Sequence, residues 1–343
     1  MTSKRLWALL AVTAAAVIAA IFVARGDGTL QNDPLAGHPV LPEVAQRIAD
    51  VGRVTLVHGG AKTTLLRRGD SWVVEEKGDY PANDAKVGQV LLGLAELSFV
   101  EPKTKKADLY SRLEVEDADK KDAKSTLVTV ADAKGSLLGE LIAGKRRVDQ
   151  LGGGNDGIYV RKPGDAQSWL ARGTLDVAGD TPQWLDKKLM DLPQAKVKDA
   201  TLTAADGGTL AFKRDKPEDK FALSSPPPAG KKLKSEDALD TPAGALGGLE
   251  LADVRPAKDF EVPKEGVAQA RYESFDGLTV TVSLVQQDGK DWARIAASGT
   301  GDAEKQADAL NAKLAPWVFA LESYKAKTLE TKLDDVLETP KGS

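Results

Sequence analysis

Gly152, Gly154 and Gly157 spell G-x-G-x-x-G, a spacing that cradles a dinucleotide pyrophosphate when a strand precedes it and a helix N-terminus follows to meet the anion. Here Ile158-Tyr159-Val160-Arg161 follows, an apolar strand pattern, so these glycines read as a hairpin turn. No G-x-x-x-x-G-K-[ST] phosphate loop occurs, and Gly144-Lys145 runs into Arg146. Asp117, Asp119 and Asp122 have the look of a calcium loop. Its fifth and sixth positions call for an acid or amide and then Gly, whereas Lys121 and Asp122 stand there, as in a solvated turn. Arg-Gly-Asp occurs at Arg25 to Asp27 and at Arg68 to Asp70, the second inside an expected hairpin. His58 ends an expected strand at Gly59-Gly60, and His38 lies in a Pro- and Gly-rich stretch; neither has an acid and a nucleophile in a recognisable arrangement. G-x-S-x-G, H-E-x-x-H and S-x-x-K are all missing. No catalytic residue, no cofactor-binding residue and no metal ligand is therefore assigned, and no cofactor is expected. Paired carboxylates stay open, because 51 acidic residues offer many pairs and a sequence does not set their separation.

Composition narrows the classes further. The chain has 343 residues, 42% hydrophobic and 29% charged, enough for a sizeable core and for two domains of about 150 residues each. Lys plus Arg is 47 against 51 Asp plus Glu, net −4, with 5% aromatics; this speaks against nucleic acid as a partner. The absence of Cys removes disulfides, thiol catalysis, thiolate metal sites and a lipid-modified cysteine anchor.

The N-terminus sets the compartment. Lys4 and Arg5 precede the uncharged stretch Leu6 to Ala24, 19 residues that span about 28 Å as a helix, the thickness of a bilayer core. Nine of them are Leu, Ile, Val or Phe, favouring insertion by roughly 3 to 5 kcal/mol in all. The anchor is read at Lys4, Arg5, Leu6, Trp7, Leu10, Val17, Ile18, Ile21, Phe22 and Ala24. The positive pair stays cytoplasmic, so everything after Arg25 is expected outside the cytoplasm, on a single-pass membrane protein. A cleaved signal peptide competes with this reading. Cutting after Ala14-Ala15-Ala16 leaves an apolar mature end, and cutting after Ala24 puts Phe22 where a small residue is wanted. The reading adopted is an uncut anchor, residues 1–25, followed by a flexible tether, 26–42. The exported part carries 44 basic against 51 acidic residues, net −7, and is expected to stand off an anionic membrane surface.

Comparing the chain with itself shows a repeat. RVTLVHGGAKTTLLRRGDSWVVEE near Val54 and DATLTAADGGTLAFKRDKPEDKFALSS near Ala200 align at a shift of 146, with Thr55-Leu56 over Thr201-Leu202 and Arg67-Arg68 over Lys213-Arg214. Both read as short strands joined at Gly59-Gly60, Gly69-Asp70 and Gly207-Gly208. A helix capped by Asn83 or Asp84 carries Val87, Val90, Leu91, Leu94 and Leu97; its counterpart, capped by Ser235, carries Leu239, Leu246 and Leu249. A second strand set (Thr126 to Ala131, Leu137 to Ala143, Ile158 to Arg161; then Leu278 to Val285, Trp292 to Ala297) leads to a closing helix, at Thr181-Pro182 in one half and at Asp302 in the other. The expected fold class is α+β: two similar lobes from an internal duplication, mainly antiparallel sheets with packed helices, after one N-terminal transmembrane helix. Its divisions are 43–192 for the first repeat, 193–325 for the second and 326–343 for a C-terminal tail. Trp72, Trp169, Trp184, Trp292 and Trp317 read as core, with an aromatic-lined groove as the alternative.

Trp72, Tyr80-Pro81-Ala82, Val87, Leu91, Leu94, Leu97, Val100-Glu101-Pro102-Lys103-Thr104 and Leu113-x-Val115 resemble the DUF4340 family, as do Gly157-Ile158-Tyr159-Val160-Arg161, Ser168-Trp169-Leu170 and Trp184-Leu185. The resemblance covers about residues 44 to 320 and is strongest over 72–117. It implies a bacterial, membrane-anchored, exported protein, often encoded beside ABC-type transporter components associated with gliding motility. It supplies no catalytic residue. Glu114 stands where similar proteins often have Gly. The function expected is a non-enzymatic accessory or interaction protein with a protein partner in the cell envelope, an ABC-type transporter component. The alternatives are a ligand-binding module using the seam between the lobes and an envelope hydrolase using carboxylates. The anchor is directly testable. Val17→Arg adds about 3 kcal/mol to insertion at mid-helix, and in a cell fractionation the chain should move from the membrane pellet to the soluble fraction.

Overall fold

In the computed structural model, residues 33–148, 156–177, 179–263 and 265–338 are described. The anchor residues Lys4 to Ala24, the first Arg-Gly-Asp, Gly152 and Gly154 lie outside them. Among the described residues no helix is long and apolar enough to cross a membrane. The chain divides into two compact units, Met1–Glu76 with Ala82–Trp184, and Lys77–Pro81 with Leu185–Ser343.

In the first unit a short helix, α1 (Pro42–Gln46), leads into β1 (Val51–His58), β2 (Ala61–Arg68) and β3 (Ser71–Val74). The short β4 (Tyr80–Pro81) belongs to the second unit. The first unit resumes with α2 (Asp84–Glu96), β5 (Ser98–Pro102), the single turn α3 (Tyr110–Leu113), β6 (Thr126–Asp132), β7 (Leu137–Arg147), β8 (Gly157–Arg161) and β9 (Ser168–Arg172). Its strands stand in the order β3-β2-β1-β6-β7-β8-β9-β5, every pair antiparallel. The β1–β2 connection is a two-residue turn whose glycines, Gly59 and Gly60, take φ of 54° and 75°, as the hairpin turn matching strand twist requires. The Asn83 side chain caps α2 by accepting the Lys86 N–H, and Val87, Val90, Leu91 and Leu94 of the helix are buried. Within the stretch read as a tether, Gly37 donates to the Phe99 carbonyl at 2.7 Å and Val40 to the Leu97 carbonyl at 2.8 Å, while Val40 and Leu41 are buried. That part of the chain runs along β5 as structure. Glu114 ends α3 with φ 56°, the left-handed conformation that glycine adopts without a Cβ penalty.

The second unit continues with β10 (Lys188–Met190), β11 (Val197–Thr203), β12 (Thr209–Lys213), β13 (Ala222–Leu223), the single turn α4 (Asp240–Ala243), β14 (Leu249–Glu250), β15 (Asp253–Pro256), β16 (Ala268–Ser274), β17 (Leu278–Gln287) and β18 (Lys290–Gly299). It ends with α5 (Asp302–Leu314), β19 (Trp317–Leu321), α6 (Ser323–Leu329) and α7 (Leu333–Val336). An eight-stranded antiparallel sheet runs β13-β12-β11-β16-β17-β18-β19-β15, and β10 pairs with β14 apart from it. Taken strand for strand, this is the order of the first sheet. Even the irregularities correspond. The β1–β6 ladder shifts register between Val51 and Arg53, and the β11–β16 ladder between Val197 and Asp199.

Mainly antiparallel sheets with a few helices are therefore what the α+β reading anticipated, but several details differ. The helix placed at Ser235 is only the turn α4: Pro242, Gly244, Gly247 and Gly248 interrupt it, although Leu239, Leu246 and Leu249 are buried as expected. Among the described residues no helix closes the first unit. Thr181–Trp184 is one 3₁₀ turn, and the chain after it becomes β10, burying Leu189 and Met190 against β14. Helix α5 starts at Asp302 as expected, yet it lies between β18 and β19 and does not close its unit. The 146-residue alignment also slips by one in β12. Val54 faces Leu65 and Ala200 faces Phe212, so Leu65 matches Phe212 and Arg67 matches Arg214, the loop before β12 being one residue longer. All five tryptophans of the body are core-associated: Trp72, Trp169, Trp184 and Trp292 are buried and Trp317 is half-buried with Tyr80 edge-on at 5.0 Å.

The register makes a direct prediction. Phe212→Ala empties a fully buried position that meets Phe221 edge-on at 5.3 Å. Urea unfolding should show a loss of about 3–5 kcal/mol, against less than about 0.5 kcal/mol for the exposed neighbour Lys213→Ala.

Candidate functional site

The most chemically distinctive opening in the first unit forms where the start of β1 meets the β6–β7 turn. Pairing of Val51 with Asp132 brings these ends together, and the bulge at Gly52 re-aims the strand. A side chain at residue 52 would lie 2.5 Å from the Ala133 Cα, so β1 passes the turn at backbone contact. The result is a cleft of about 720 Å³ lined by Arg47, Arg53, Arg67, Arg68 and Lys134 with the carboxylates of Asp50 and Asp132. Five cations against two acids in the lining gather positive charge on a chain whose net charge is −4.

Each element holds its guanidinium in place. Arg47 Nε donates to Asp50 at 3.0 Å and its Nη2 to Asp132 at 3.4 Å. Asp132 accepts the backbone N–H groups of Lys134 and Ser136, each at 2.9 Å. The Ser136 amide does most to hold the Asp132 carboxyl below the usual carboxylate range, overcoming the opposite pull of burial, with the Lys134 amide and Arg47 adding to it. Arg67 donates from Nε to the Gly69 carbonyl at 3.2 Å and from Nη1 to the Ala49 carbonyl at 3.1 Å. Arg53 faces Glu75 at 3.6 Å. The arginines of these pairs are exposed, so the pairs add little stability; what they fix is direction. A guanidinium has five N–H donors, and the bonds just named occupy two on Arg47 and two on Arg67, so each keeps donors for a ligand. The cleft holds positive charge and free hydrogen-bond donors, which suits it to bind an anion.

The second unit provides an internal comparison. Ser274 pairs with Val197 as Asp132 pairs with Val51, and the Ser274 hydroxyl accepts the Leu278 N–H at 3.0 Å as Asp132 accepts that of Ser136. Gly135 and Gly277 close the two turns with φ of 87° and 85°. Where the first unit has Ala133 the second has Phe275, held by its N–H on the Lys196 carbonyl at 3.0 Å. Arg214, the counterpart of Arg67, is buried: Nε donates to Val197 at 2.9 Å, Nη1 to Pro217 at 2.6 Å and Nη2 to Gln194 at 2.6 Å, and the guanidinium lies over the rings of Phe221 and Phe275. One copy of this place in the fold is filled and the other is open.

The remaining features of the sequence take structural places. Asp117 pairs with the buried Arg161, whose Nε donates to the Val115 carbonyl at 2.8 Å and which lies over the Tyr110 ring. Asp119 presents its carbonyl 3.0 Å from where a side chain on Gly60 would begin. His58 Nδ1 lies 3.0 Å from the Ser125 carbonyl, to which it can only donate. Gly157 opens β8, where a side chain would meet the Ala171 carbonyl at 2.6 Å. Among the described residues no group of three or more His, Asp or Glu side chains is gathered as for a metal. In the sequence Arg67 and Arg68 stand out only as part of a repeat and a turn, and the other cations of the cleft carry no motif. Its only sequence signal is basic residues gathered in an acidic chain, and those lie far apart until the ladder is known.

A second charged cluster lies in the second unit. Asp253 is buried between Lys77 at 2.5 Å and Lys290 at 2.8 Å and also accepts the Val254 N–H at 2.8 Å. Burial pushes this carboxyl up, but the bonds from Lys290, Lys77 and Val254 outweigh it and the net shift is downward. A carboxylate with a lowered folded-state value stabilises the fold above its unfolded value of about 4 and loses that contribution as pH falls through the folded value. Asp253→Asn should therefore cost about 1–3 kcal/mol at neutral pH, and in urea titrations the gap from the parent should shrink as the pH falls through the folded value.

No curated protein matches the chain, and no solved structure does. The family described as Domain of unknown function (DUF4340) matches residues 72–269, more than half of the chain and including β6, β7 and Asp132 to Gly135 of the cleft. The chain belongs to the DUF4340 family.

Proposed function

We propose that this chain is a non-enzymatic, single-pass protein of a bacterial inner membrane whose folded body works outside the cytoplasm as an accessory to another envelope component. The carrying observation is the uncharged 19-residue stretch after Lys4 and Arg5, which is long enough to span a bilayer and is flanked by positive charge on one side. An ABC-type transport protein is the partner class, on the strength of the resemblance read in the sequence. We infer further that the body arose by duplication. The shared strand order, the register shifts at Val51/Arg53 and Val197/Asp199, and the matching turns at Gly135 and Gly277 support it. A second reading, an extracytoplasmic ligand-binding module, is favoured by the arginine-lined cleft in the first unit.

Crosslinking in intact cells followed by detergent extraction tests the accessory role. One defined membrane partner, recovered with the parent chain and lost when Leu6 to Ala24 is deleted, is the expected result. Recovery of the same partner without the anchor contradicts the tethering, and recovery of none contradicts docking.

A further inference from the structure

We infer that the first-unit cleft is a binding site for a phosphate-bearing ligand carrying two or three negative charges, of the phosphomonoester or pyrophosphate class. The inference gives a chemical class to the ligand-binding reading and rests on it; it does not depend on the membrane anchor.

Charge comes first. The lining brings five cations and two carboxylates together within an acidic chain, and with Glu75 set against Arg53 positive charge is still in excess. A phosphomonoester carries about two negative charges at neutral pH and offers three acceptor oxygens. Donor geometry comes second. Arg47 is held through Asp50 and Asp132, and Arg67 through the Gly69 and Ala49 carbonyls. Both are fixed before a ligand arrives, and their unused N–H groups suit the paired oxygens of a phosphate. Size comes third, since about 720 Å³ lies within the range of small-molecule sites.

The internal comparison carries the inference furthest. At the equivalent place the second unit puts Phe275 for Ala133, satisfies Arg214 with three carbonyls and covers it with two rings. The charges are replaced as well: at the 146-residue shift Asp199 stands for Arg53, and in the turn Asp276 stands for Lys134. A packed version of this site is thus available to the fold. The first unit instead keeps an exposed Ala133 and an open arginine lining, as a site for an anion requires.

Isothermal titration of the full chain in mild detergent with inorganic pyrophosphate tests this. At about 50 mM salt a dissociation constant of about 10–500 µM is expected, weakening as salt rises. Ala133→Phe, which copies the second unit, should weaken binding at least about tenfold with an unchanged melting temperature, and Lys134→Glu, in an exposed turn, about three- to tenfold. Glycerol 3-phosphate, the headgroup fragment of an anionic lipid, separates the sources. If it binds more tightly than inorganic phosphate, a lipid headgroup supplies the ligand; if more weakly, a free phosphate does; both uphold the site. No heat with any of the three, binding by citrate in their place, or parental affinity in both variants overturns the inference. A chain that binds pyrophosphate but crosslinks to no partner loses only the accessory role, and one that crosslinks but binds no phosphate loses only the site.

Discussion

The structure depends on a constraint at the first strand of each unit, where a register shift lets β1 and β11 pair on both sides while the chain feeding them turns away. In the first unit that shift falls at Gly52, where a side chain would meet the Ala133 backbone at 2.5 Å. The contact closes the β6–β7 turn onto the head of β1, with Asp132 accepting two backbone N–H groups to hold the turn's shape. Because the shift recurs between Val197 and Asp199, the two sheets share more than a strand order. They share the irregularity from which a site can be made.

What each unit builds on that irregularity differs by a few side chains. Phe275 and the buried Arg214 give the second unit a packed corner in which guanidinium donors are spent on the Val197, Pro217 and Gln194 carbonyls. Ala133 and Arg67 give the first unit an opening with donors to spare. A buried guanidinium must have its hydrogen bonds satisfied, whereas an exposed one exchanges them with water or a ligand at little cost. The same residue type is therefore structural in one copy and available in the other.

Much of this was legible in the sequence where local chemistry governs. Gly59-Gly60 marked the β1–β2 turn, Asn83 capped α2, and the alternation in β17 and β18 marked strands, because turn geometry, capping and burial act over a few residues. Legibility failed where tertiary pairing overrides spacing. Leu185 and Leu189 have helical separation, yet the segment pairs as β10 because β14 offers it a partner. Leu239 and Leu246 likewise suggested a helix that Pro242 and the following glycines do not allow. The cleft was hidden for a related reason. Nothing in Arg47, Arg67 and Lys134 as a sequence shows that the β1–β6 ladder gathers them, and a one-residue slip in the β12 alignment concealed the match of Arg67 with Arg214.

The account turns on one copy of a repeated corner being open for an anion and the other being closed. A crystal structure of the full chain grown with pyrophosphate examines this most directly. The account predicts phosphate density in the first-unit cleft within hydrogen-bonding distance of Arg47 and Arg67, and none at Arg214. Density at Arg214, or a first-unit cleft closed by its own side chains with pyrophosphate present, would contradict it.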